Sequence, residues 1–149
     1  SSLHANGSVA AVTRLRDLGL DSFLIAATLR GILAQRLLRC LCENCKEMTP
    51  PDAATKSLFA SVGIDPPDQV PTAKGCNTCD DTGFAGRQGV YEIVEITESV
   101  AAAIGENASE QDLKRLAVPQ GNSLLAQGVH LIAQGRTSTG EVRRVLGDT

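Results

Sequence analysis

The sequence predicts an α+β chain, mostly helical, built around a small four-cysteine module, and three observations lead there. The first is composition: of 149 residues, 42% are hydrophobic but only 3% aromatic, with no Trp, so the core must be made of Leu, Ile, Val and Ala, a bias that favours helices. The second is a run of short apolar-periodic segments, several preceded by a Ser, Thr or Asp that can cap a helix N-terminus. The third is a pair of cysteine pairs, Cys42-x-x-Cys45 and Cys76-x-x-Cys79, with 30 residues between the inner cysteines.

Taken in order, Ala5-Asn6-Gly7-Ser8 reads as a helix start with Ser8 or Asn6 as cap. The first helix reaches about Leu18, with Ala11, Val12, Leu15 and Leu18 on one face, and Gly19 supplies a left-handed stop. Asp21 or Ser22 caps a second helix, which the apolar residues Phe23, Leu24, Ala27, Leu29, Ile32 and Leu33 carry to about Arg36. Leu37 to Leu41 then forms a short strand that delivers Cys42.

Thr49-Pro50-Pro51-Asp52 starts a small helix to about Val62, and Asp65 to Pro71 returns as an extended loop. Gly83 and Gly86 permit a sharp turn. Gln88 to Ile96 alternates Val90, Glu92 and Val94 against Tyr91, Ile93 and Glu95, and reads as a strand pairing antiparallel with Leu37 to Leu41. Four short helices follow, starting at Thr97-Glu98, Ser109-x-x-Asp112, Ser123 and Ser138-x-x-Glu141, and are expected to form a C-terminal helical lobe.

Composition also limits function. A formal net charge of −3 argues against phosphate-neutralising nucleic-acid binding, since Arg14, Arg16, Arg30, Arg36 and Arg39 read as solvated faces. No stretch approaches the roughly 18 apolar residues of a membrane span, and the five cysteines come without a signal-peptide pattern. Together these predict a soluble, cytoplasmic chain in a reducing compartment. The start at Ser1-Ser2-Leu3-His4, without Met, reads as the interior of a larger protein.

Four thiolates in two CxxC pairs can close a tetrahedron around zinc, leaving no open position for water, so Cys42, Cys45, Cys76 and Cys79 are expected to hold a structural rather than a catalytic ion. Cys40 is left over and is expected to be a small buried hydrophobe. His130 shares a helix face with Ser123, Gln127 and Gln134 and is expected to be exposed. His4 precedes a helix start, where backbone N–H groups attract anions, so it is either a polar loop residue or a phosphate sensor. The chain has no GxxxxGK[ST] loop and no readable nucleophile-base arrangement.

Several motifs, in order and over essentially the whole chain, resemble the secretion ATPases, the hexameric motors of type II secretion and type IV pilus assembly. They are Ser1-Ser2-Leu3-His4-Ala5-Asn6 with Ala11-Val12-Thr13-Arg14-Leu15, which looks like the His box; Gly31 to Leu37; Leu41-Cys42-x-x-Cys45-Lys46; Gly75-Cys76-x-x-Cys79-x-x-Thr82-Gly83-Phe84-x-Gly86-Arg87-x-Gly89-x-Tyr91-Glu92; and Thr137-x-x-x-Glu141-Val142-x-Arg144-Val145. The family usually has Thr where this chain has Ser2 and Ala5, and Tyr where it has Phe84.

The resemblance implies the C-terminal part of a RecA-like ATPase, with the phosphate loop and the Mg²⁺-binding carboxylates before residue 1 and His4 near the γ-phosphate. It further implies a homo-hexameric parent that uses ATP and Mg²⁺. Such a parent sits in the cytoplasm, peripheral to the inner membrane through platform and linker proteins, and this chain alone would be inactive. The implied division is residues 1–41 as motor core, 42–79 as zinc module and 80–149 as connecting strand and helical lobe. Two rival classes are a free-standing zinc-clip binding module, which would need repeated CxxCxGxG units, and a zinc-ribbon nucleic-acid binder, which would bind DNA in a salt-dependent way.

Overall fold

The computed structural model describes residues 1–5, 7–119 and 121–147. In chain order they form α1 (Ala10–Asp17), α2 (Ser22–Thr28), β1 (Gly31–Leu41), β2 (Glu47–Thr49), α3 (Ala53–Ser61), β3 (Val70–Thr72), β4 (Phe84–Glu95), α4 (Glu98–Gly105), α5 (Glu110–Ala117), α6 (Leu124–Ala133) and α7 (Thr139–Leu146). The class is α+β, with two-stranded sheets β1–β4 and β2–β3. At the two ends of the first sheet, Ile96 N–H donates to Arg30 C=O and Cys42 N–H to Gly83 C=O, so β1 and β4 run antiparallel. That is the expected partnership.

Local capping chemistry sets most helix starts as expected. Asp21, Asp52, Thr97, Ser109 and Ser138 each accept a hydrogen bond from a first-turn backbone N–H. Two expectations fail. Ser8 does not cap α1: the residue preceding the helix is Val9, and the Ser8 hydroxyl donates to Glu92 instead. Asn6, the other expected cap, lies outside the described residues. The second helix also stops at Thr28, not near Arg36, and the residues from Gly31 to Leu41 form one long strand. The expected loop from Asp65 to Pro71 ends in β3, whose Val70, Pro71 and Thr72 pair with Thr49, Met48 and Glu47 of β2.

The chain forms two compact units, passing between them inside β1, inside β4 and again between Ser123 and Leu124. The first comprises Ser1–Gln35 and Tyr91–Ser123, so α1 and α2 join α4 and α5. Its buried cluster is Val9, Val12, Ile25, Val100, Ile104 and Leu113. Arg16 braces it, donating through Nη2 to Ile104 C=O at 2.9 Å, through Nη1 to Ala108 C=O at 3.1 Å and through Nε to Ser22 Oγ at 3.0 Å. A cation on the Ile104 carbonyl, in the last turn of α4, also interacts favourably with that helix's dipole.

The second unit comprises, among the described residues, 36–90 and 124–147, so α6 and α7 join β2, α3 and β3. Leu38, Phe59, Leu124, Ile132, Val142 and Leu146 are fully buried there. Gly128 lets α6 and α7 close on each other: a Cβ there would lie 2.8 Å from Leu146 Cδ1 and 3.0 Å from Val142 Cγ1. No helix of the described residues is long and apolar enough to cross a membrane.

Candidate functional site

Strand β1 ends at Leu41 and hands Cys42 to a tight turn in which Cys42 C=O accepts from Cys45 N–H at 3.3 Å and Lys46 N–H at 3.0 Å. The second pair repeats the device. Cys76 C=O accepts from Cys79 N–H at 3.1 Å and Asp81 N–H at 3.0 Å, across a 3-10 turn of Asn77–Cys79. Between the turns, β2 follows directly on the first and β3 leads to the second, so the β2–β3 ladder holds the two turns in one place.

As a result the four Sγ atoms lie within 4.8 Å of one another, with Cys42 and Cys79 buried and Cys45 and Cys76 half-buried. Cys42–Cys76 is 4.0 Å, and Cys45–Cys79 and Cys76–Cys79 are 3.8 Å. A tetrahedral Zn–S₄ site with bonds of about 2.3 Å requires sulfurs about 3.8 Å apart, so the donor set fits such an ion in number, chemistry and size.

Backbone N–H groups bias the sulfurs. Cys79 Sγ accepts from Cys76 N–H at 3.3 Å and Gly83 N–H at 3.2 Å. Burial acts to raise the Cys79 pKa, yet these two donors and the neighbouring thiols outweigh it and bring it down to about 7. Cys45 goes the other way, pushed up to about 12 first by desolvation and then by hydrogen bonds among the thiols, against one lowering backbone bond from Gly75. Cys79 is therefore readier to ionise than Cys45, and filling the site releases whatever protons the thiols still carry.

Gly83 serves twice, since its C=O also accepts from Cys42 N–H at 2.9 Å. Its φ is +76°, and a Cβ at this position would lie only 2.7 Å from Ala73 Cβ, so only glycine fits here.

The metal turn is tied to the end of α6. Lys46 Nζ donates to Gly135 C=O at 3.1 Å and pairs with Glu43 at 2.7 Å, while Leu41 N–H donates to Arg136 C=O at 2.8 Å. Nearby, Glu141 on α7 is fully buried and clamped by two arginines. Its oxygens receive Arg39 N–H at 3.0 Å, Arg39 Nε at 3.0 Å and Nη2 at 2.7 Å, and Arg144 Nε at 3.0 Å and Nη2 at 2.7 Å. Arg39 also stacks over the Phe84 ring at 4.1 Å. Burial works against the Glu141 charge, but the hydrogen bonds from Arg144 and Arg39 overcome it and hold the carboxyl at about 2.

Of the residues singled out in the sequence, the four cysteines come together, whereas Cys40 is half-buried rather than buried and stands outside the cluster. His130 is exposed on α6, as expected. His4 is exposed in the first unit, four residues before Ser8. Sequence reasoning missed the Glu141 clamp, where Glu141 read only as part of a capping box, and the Ser8–Glu92 contact. A signal for the latter existed: alternation sets Glu92 on the same strand face as Val90 and Val94, and all three are buried.

Comparison with known proteins adds to this geometry. The family model described as type II/IV secretion system protein matches residues 1–144. The chain is 40% identical to the putative type II secretion system protein E of Escherichia coli strain K12, over 100% of this chain and 30% of that protein. It is 39% identical to the type II secretion system ATPase E of Vibrio cholerae, over 100% of this chain and 29% of the relative. To the type IV pilus assembly ATPase TfpB of Acinetobacter baylyi it is 39% identical, over 98% of this chain and 25% of the relative. The chain thus spans less than a third of the length of these relatives.

Proposed function

We propose that this chain, which belongs to the type II/IV secretion system protein family, is the C-terminal, zinc-clipped part of a cytoplasmic hexameric ATPase that powers type II protein secretion. The single observation that carries the reading is the match over residues 1–144 to a family whose relatives include a type II secretion system ATPase. In this reading residues 1–41 complete a RecA-like motor core, 42–79 form the zinc module, and 80–149 supply the connecting strand and helical segment. The phosphate loop and the Mg²⁺-binding carboxylates precede residue 1, and His4 senses the γ-phosphate of ATP.

Cys42, Cys45, Cys76 and Cys79 would hold Zn²⁺, which when bound supplies cross-linking and no catalysis. The 4.8 Å clustering of their sulfurs supports that assignment. The hexamer works from the cytoplasmic side against inner-membrane platform and linker proteins, and nucleic acid is no partner. A type IV pilus assembly ATPase is the alternative, and the 39% identity to the Acinetobacter protein favours it to the same degree.

The test is turnover by the purified 149-residue chain against a full-length ATPase containing it. ATP hydrolysis is expected from the longer protein and none above background from the chain alone; robust turnover by the chain would overturn the division of labour. Zinc content measured by atomic emission is expected at about one ion per chain.

A further inference from the structure

We propose that Glu92 is a positioning residue for His4: by gripping Ser8 it fixes the point from which the chain runs back to the histidine, and so limits where the imidazole can be. The proposal rests on the reading of His4 as nucleotide sensor. Glu92 is 5% exposed and Ser8 1%. A carboxylate so placed is costly unless its oxygens receive donors. Oε1 receives both the Ser8 hydroxyl and, at 3.2 Å, the Ser8 N–H. Two donors from one residue converging on one oxygen fix that residue's orientation as well as its position.

Everything downstream of Ser8 is already held. Val9 and Val12 are buried in the first unit's core, and Arg16 locks α1 to the carbonyls of Ile104 and Ala108. Upstream, Ser1 to His4 are exposed and Ala5 is half-buried with a partner of its own, so among the described residues Ser8 is the fully buried one nearest the histidine in the chain. Three residues separate His4 from Ser8 and span at most about 14 Å between the two Cα atoms, so the position of Ser8 bounds where the imidazole can sit. The same contact has a second effect. The Ser8 N–H is spent on a carboxylate of the protein itself, so it is not left for a bound anion, and phosphate recognition at this end of α1 falls to His4 rather than to that amide.

The test is steady-state kinetics in the full-length ATPase with His4→Ala, Glu92→Ala and the double variant, each with its thermal midpoint measured. His4→Ala is expected to lower kcat by about tenfold or more, and Glu92→Ala by about tenfold with KM for ATP within about twofold. The double variant is expected within about twofold of His4→Ala, because Glu92 acts through the histidine and the effects do not add. Should Glu92→Ala fail to fold, Ser8→Ala takes its place, with a loss of about threefold expected on the same logic.

The proposal is overturned if the Glu92 substitution leaves kcat unchanged, or if it lowers kcat by the same factor with His4 already removed, which would mark a purely structural residue. If His4→Ala alone leaves kcat unchanged, the sensor reading fails first and the positioning role falls with it, an outcome distinct from the other two.

Discussion

The two units of this chain bury a carboxylate each, and they do so by opposite means. In the first, whose core is the apolar cluster of Val9, Val12, Ile25, Val100, Ile104 and Leu113, Glu92 takes the hydroxyl and N–H of Ser8. In the second, Glu141 takes two guanidinium groups, and the same unit carries the four clustered thiols. The first unit thus meets its buried carboxylate with the uncharged donors of Ser8 and braces its core with Arg16, whereas the second adds to its packed core a doubly charge-paired carboxylate and a metal-sized clip. Apolar packing is insensitive to chelators and to acid, whereas thiolate ligation of a metal is lost to both and a charge-paired carboxylate is lost to acid alone.

The largest expected effect follows from that contrast. Stripping metal with a chelator, or Cys45→Ser or Cys76→Ser, should unfold the second unit, since structural zinc contributes on the order of 10 kcal/mol to small domains that depend on it. Because Lys46 and Leu41 tie the metal turn to Gly135 and Arg136, the loss should reach α6 and α7 and not stop at Cys79. Hydrogen exchange read by mass spectrometry should show protection lost over 36–90 and 124–147 and kept over 1–35 and 91–123. Uniform loss across both units would break the comparison, and an unchanged profile after confirmed metal removal would sink the structural site.

Next in size is Glu141. Glu141→Gln removes the charge that both arginines face, and about 2–4 kcal/mol should be lost in denaturant titration, the low end applying because Arg39 and Arg144 are partly exposed. The pH dependence has a definite sign. The folded carboxyl titrates at about 2, below its ordinary 4.5, so the native state binds fewer protons than the unfolded one. The stabilisation is complete above about pH 4.5 and lost as pH falls toward 2, up to about 3 kcal/mol. Glu141→Gln should lack that component of the acid-unfolding curve; an identical curve would mean the clamp does not carry the charge.

Gly83→Ala comes third. A side chain there meets both a positive φ and Ala73, and a loss of about 2 kcal/mol in the second unit is expected by thermal unfolding, together with weaker metal retention in a zinc-chelator competition. The smallest effects are the caps. Ser109→Ala in the first unit and Ser138→Ala in the second should each cost about 1 kcal/mol, and equally, because capping is local and independent of the clip. A marked inequality would mean that one unit depends on its helix ends more than the other.

What could be read in advance depends on neighbours along the chain. Asp52, Thr97, Ser109 and Ser138 each satisfy an N–H only a few residues away, so their helix starts were readable. The CxxC spacing was readable for the same reason, because each turn closes on its own backbone, and the ordered motifs carried the family.

Partners far along the chain settled the rest, and only in the folded molecule. Gly31 to Arg36 read as helix because Leu33 and Leu37, on the outward face of β1, are as apolar as the inward Ala34 and Leu38, which erases the alternation a strand would show. Pairing with β4, roughly fifty residues later, made the choice instead. Glu141 meeting Arg39 and Ser8 meeting Glu92 span 102 and 84 positions, distances at which no local pattern records that two residues will touch. Ligand identity is local chemistry, while the burial and pairing of a charge belong to the folded whole.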